Sequence, residues 1–139
     1  MIKAIFISDN KGIPYYSKYY ESFTSLDSPI MSGLLSSITL IGQNLFHLDI
    51  ATIKFGDHEP FSSLVIITKN IFHETKKIHF CFFITGKYDK SLLNSIATKI
   101  FIEIKNEFYN NTPELSHIRL KLNKIIESQS LITQVESTA

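Results

Sequence analysis

The sequence predicts an α+β domain of three layers: a five-stranded, mainly antiparallel sheet with one helix on one face and two on the other. Three observations carry that prediction. The segments run ββ-α-βββ-αα, with turn residues between the strands. The strand stretches IFI, LVII and FCFFI are apolar at consecutive positions, whereas an antiparallel strand wetted on one side alternates. Strands of that kind need cover on both faces, and the helical segments supply it.

Residues 2–8 (IKAIFIS) read as the first strand and residues 13–20 (IPYYSKYY) as the second. Asp9-Asn10-Lys11-Gly12 is the turn between them, with glycine where positive φ is tolerated. Pro14 lacks an N–H and so places the second strand at a sheet edge. Ser28-Pro29 marks a helix start. Ile30, Leu34, Leu35, Ile38, Ile41 and Leu45 then give a helix over about 29–46, with those residues as its core stripe. Gly33 and Gly42 weaken that helix by roughly 1 kcal/mol each relative to Ala, which suggests close packing against a neighbouring backbone.

Three strands follow: Leu48 to Phe55, Phe61 to Thr68, and Ile78 to Thr85. Residues 56–60 (GDHEP) form a turn, and 70–77 read as a loop. In IHFCFFIT the period of two puts Ile78, Phe80, Phe82 and Ile84 on one face and His79, Cys81 and Phe83 on the other. Gly86 ends the strand. Asp89 caps a second helix whose stripe is Leu92, Leu93, Ile96, Ala97, Ile100, Phe101, Ile104 and Phe108. Residues 110–113 (NNTP) stop it. Ser116 caps a third helix, with Leu115 and Leu120 as a hydrophobic staple and Ile118, Leu122, Ile125 and Ile126 on its apolar face. One domain is expected over 1–128, followed by a polar, flexible tail over 129–139.

A chain of 139 residues buries roughly two-thirds of its unfolded surface, enough for a core. Hydrophobic residues make up 44% and charged residues 19%, so the chain is globular rather than disordered. A net charge of +1 from 14 basic and 13 acidic residues gives no footprint for nucleic acid or an anionic membrane. Cys81 is the single cysteine, which fits a reducing, cytoplasmic setting. No signal peptide and no transmembrane run is expected.

Chemistry is hard to find. The five histidines, His47, His58, His73, His79 and His117, show no metal-ligand spacing, so no metal and no cofactor is expected. Asp57-His58-Glu59 reads as a solvated turn rather than an acid–base cluster. Cys81 in mid-strand reads as a core residue rather than a nucleophile. No phosphate loop, dinucleotide fingerprint or nucleophile elbow is present, and the chain reads as a non-enzyme.

Two surfaces stand out instead. Residues 28–48 carry no charge before Asp49, and the flank of the first helix would hold Ser32, Ser36, Ser37, Thr39, Gln43 and Asn44. A charge-free flank suits a partner surface, because little charge is desolvated on docking. The second is IPYYSKYY, where alternation pairs Tyr15 with Tyr19 and Tyr16 with Tyr20 on opposite faces of an edge strand.

The opening MIKAIFISDNKGIPYYSKYY, the helix segment SPIMSGLLSSITLIGQNLF and the strand FCFFI together resemble the longin domain family. The likeness spans about residues 1–128 and rests on element order rather than on an invariant motif. It implies a longin/profilin-like fold with FCFFI as an inner fifth strand. It implies no catalytic residues. The implied partners are another longin or roadblock domain, or a small GTPase, in a homo- or heterodimer acting in vesicle trafficking, with peripheral membrane association through those partners. No coiled coil or anchor is expected after residue 128, so the resemblance points to a free-standing small subunit or an ancestral, archaeal single-domain form. Two other classes share part of the pattern. A PAS- or GAF-like sensor would need a ligand cavity against the sheet, and a roadblock domain would normally begin with a helix.

Overall fold

The computed structural model describes residues 2–9, 14–20, 33–38, 40–42, 50–71, 76–108 and 115–127. Strands β1 (Ile2–Asp9), β2 (Pro14–Tyr19), β3 (Ile50–Phe55), β4 (Ser62–Ile71) and β5 (Lys76–Thr85) make one sheet in the order β2-β1-β5-β4-β3. Every neighbouring pair is antiparallel. Residues 33–38 and 40–42 are helical and are called α1. Helices α2 (Lys90–Ile104) and α3 (Leu115–Glu127) follow, with a 3-10 turn at Lys105–Phe108. This open α+β sandwich is consistent with a longin-like fold. β5 is innermost, as that likeness implies for FCFFI, and Pro14 lies on an edge strand.

The period of two sorts the sheet into two cores. Ile5, Phe82 and Val65 stand in one cross-strand row, and Phe6, Cys81 and Ile66 in the next. The first set packs with Leu93, Ile96, Ala97, Ile100, Ile104, Ile118, Leu122 and Ile126 beneath α2 and α3. The second packs with Leu35 and, more loosely, Ile38 of α1. Both faces of FCFFI are therefore covered. Burying a side chain such as Phe82 stabilises the fold by roughly 1.5–3 kcal/mol.

Polar contacts fix the helices across the sheet. Asp89 caps α2, its Oδ1 accepting from the N–H groups of Ser91 (2.9 Å) and Leu92 (3.3 Å). Lys69 Nζ on β4 donates to Asn94 Oδ1 on α2 at 3.1 Å. From α3, Arg119 donates to the Pro14 carbonyl (3.2 Å) and Glu127 pairs with Lys18 (2.9 Å). The Lys18 pair is partly exposed and is worth at most about 1 kcal/mol.

Four expectations need correction. Residues 70–77 are not simply a loop: β4 runs to Ile71 and β5 begins at Lys76, with Asn70 opposite Lys77. Ladder hydrogen bonds use the backbone, so polar side chains at the strand ends do not stop pairing. The second helix gives way to the tighter 3-10 turn at Lys105, which still delivers Phe108 to the core. Ser116 is not the cap of α3, because the helix already includes Leu115. Leu115 packs on the core while Leu120 is exposed, so the two do not form a staple.

The fourth concerns the tyrosines. Ile7 pairs with Tyr16 and Ser8 with Pro14, which leaves Tyr15 as the extra residue of a β-bulge. The bulge turns Tyr15 to the same side as Tyr16, and both join the core under α2 and α3. Tyr15 and Tyr19 therefore do not share a face. Expectations for the 10–12 turn, for residues 28–32 and 43–46 of the first helix, and for the 129–139 tail lie outside the described residues.

Candidate protein-interaction surface

Helix geometry explains what α1 presents. At 100° per residue, Leu34, Ile41, Ser37, Gly33 and Leu40 fall within an arc of about 120°. All five are exposed, with Leu34 at 52%, Leu40 at 58% and Ile41 at 52%. Leu35 lies on the opposite side and is fully buried. The helix is thus rotated from the expected stripe, and Leu34 and Ile41 face outward rather than into the core. Among the described residues, nothing lies within 4 Å of where a Cβ on Gly33 would stand, so packing among them does not account for this glycine.

The expected polar flank is only partly what the structure places there. Ser37 is exposed and its hydroxyl donates to the Gly33 carbonyl at 3.0 Å. Ser36 is half-buried and turns back to the sheet, donating to the Asp9 carbonyl at 3.3 Å. Ser32, Thr39, Gln43 and Asn44 lie outside the described residues. Leu40 was missed because it stands out of phase with the apolar stripe. That mismatch, a large apolar residue on a presumed polar flank, is the signal that could have marked it.

The tyrosine strand is mostly withdrawn from solvent. Tyr15 is 2% exposed and its hydroxyl donates to Asp9 Oδ2 at 3.0 Å. Burial, with the Asp9 charge and hydrogen bond behind it, pushes its phenol well above the ordinary range. Tyr16 donates to Asn123 Oδ1 at 3.4 Å, and burial raises it to about 12, with Tyr20 and Glu127 adding to the effect. Tyr20 packs against the same core, and Lys18 stands 5.6 Å from its ring centre. Tyr19 is half-buried on the edge.

Among the described residues, ionisable groups also meet at Glu107, whose Oε1 lies 3.3 Å from His117 Nε2 and 3.5 Å from Lys121 Nζ at the partly exposed seam between the 3-10 turn and α3. Asp57 and His58 stand 3.8 Å apart and almost fully exposed, as a solvated turn would have them. Cys81 is fully buried, which raises its thiol above the usual range and removes it from reagents. Among the described residues no three His, Cys, Asp or Glu side chains gather as a metal site would need. Among them, too, no helix is long and apolar enough to cross a membrane.

No protein-family model matches this chain. No curated protein matches it in sequence. In structure it is similar to a chain of a homology model of the full-length AP-3 complex in a stretched open conformation. That likeness has a TM-score of 0.40 and 14% identity, covering 97% of this chain and 99% of that one. At that level it carries no inference about what this chain binds.

Proposed function

We propose that this chain is a non-catalytic, longin-like assembly module that pairs through the outer face of α1 with a second domain of its own kind. As a homo- or heterodimer it would scaffold or regulate a small GTPase in a trafficking-type complex; that wider role follows from the sequence resemblance. The single observation supporting the pairing is the exposed arc of Leu34, Ile41 and Leu40 around Gly33 and Ser37. Large apolar residues flanking two small ones form a groove into which a second helix can set its ridge. Nothing charged in the described part of α1 has to lose its water when that happens.

Light scattering on the purified chain tests this reading. Wild-type protein at high micromolar concentration is expected at twice its 15.9 kDa mass, or at the summed mass with a longin-type partner. Leu40→Glu and Ile41→Glu are expected to return it to monomer with unchanged circular dichroism. A wild-type monomer under both conditions, or full association by both variants, overturns the proposal.

A further inference from the structure

A half-open cleft of about 660 Å³ lies at the far edge of the sheet from β2, on the side covered by α2. Its walls come from the end of β3, the β3–β4 turn, the start of β4 and the β5–α2 connection. Lys54 and Ser63 are cross-strand partners, so their side chains stand together on this face. Ser63 is buried and forms the floor; Lys54 is exposed at the rim. The Gly86 N–H donates to the Phe61 carbonyl at 2.9 Å, which ties the β5–α2 connection to the β3–β4 turn. Gly86 holds φ at +90°, a turn that glycine favours, and Lys87 and Tyr88 just beyond it also line the cleft.

The chemistry of the lining is specific. Two rings, Phe61 and Tyr88, supply flat apolar surface, and Lys54 Nζ stands 4.8 Å from the Phe61 ring centre. Among the described lining residues Lys87 is the second cation and Glu59 the lone acid. The volume falls in the range of small-molecule sites, and such sites pair an apolar lining with a few placed polar groups. A surplus of one positive charge suits a monoanion. It does not suit a nucleic-acid backbone, which needs several cations in series.

We propose that this cleft binds a small flat acid: an aromatic or similarly planar body between Phe61 and Tyr88, with its carboxylate on the ammonium groups of Lys54 and Lys87. Charge-assisted hydrogen bonds to the lysines fix its orientation, and the rings supply contact area. The site is separate from the α1 surface, so either assignment can fail without the other.

Phenylacetate titrated into the ¹⁵N-labelled full chain is the test, with benzylamine as the charge-reversed control. Phenylacetate is expected to shift the Phe61, Gly86, Lys87 and Tyr88 amides to saturation, and benzylamine is not. Lys54→Gln and Lys87→Gln, both at exposed positions that leave the core intact, are each expected to weaken phenylacetate by roughly tenfold. The amide dispersion of the unliganded variants checks that they fold. Absence of saturable shifts overturns the proposal. So do equal binding of benzylamine and indifference of the shifts to both lysine substitutions.

Discussion

His79 stands on the α1 side of β5, 2% exposed, with Nδ1 3.0 Å from Thr68 Oγ1. Burial drives its pKa from 6.5 down to about 4; Lys77 pushes the same way and Asp9 opposes. The folded value lies below the unfolded one, so as pH falls the unfolded chain takes up the proton first. The stabilising contribution is therefore full above about pH 6.5 and is lost as pH falls towards 4, reaching about 3 kcal/mol at most. Thermal melts from pH 7.5 to 4 should show Tm falling across that window. His79→Gln should flatten that part of the profile. Cys81, on the same face, gives a simpler expectation: a thiol reagent should label it only once denaturant has opened the sheet.

The elements differ in how much of each could be read from sequence. Faces within β5 were legible, because a period of two leaves no freedom once one face is assigned. Asp89 was legible as a cap because aspartate directly before the apolar stripe is a favoured N-cap, and its carboxylate does meet two free N–H groups. Replacing Asp89 by Ala should cost about 1 kcal/mol in chemical denaturation. The rotation of α1 was not legible. Leu34, Leu35, Ile38 and Ile41 span an arc of about 120° with Leu40 outside it, so the buried part of that arc is not fixed by spacing and the sheet below selects Leu35. The bulge at Tyr15 was also hidden, since no glycine marks it and one extra residue leaves no trace in composition. The same holds for the cleft, whose residues come from two strand ends and two connections and meet only in the folded chain. Gly86 is the exception there: at φ +90° with open space around its Cβ position, Gly86→Ala should cost about 1–2 kcal/mol from backbone strain alone.

At the scale of the whole molecule, the two cores share one sheet. β5 is hydrogen-bonded on both edges and sends Phe80 and Phe82 to the α2–α3 side and Cys81 to the α1 side. Both cores rest on the same ladders, so loss of the sheet dissolves both at once, and the layers should unfold together. Two substitutions on opposite faces check this. Phe82→Ala removes a fully buried ring under α2 and should cost about 3–5 kcal/mol; Leu35→Ala, beneath α1, should cost about 2–5 kcal/mol. Against a total stability of about 5–15 kcal/mol for a domain of this size, either loss is a large fraction. Each variant should move a single urea midpoint seen identically by far-UV circular dichroism and tyrosine fluorescence. A separate early transition in Leu35→Ala would mean that α1 leaves the sheet on its own, and the three layers would then not be one cooperative unit.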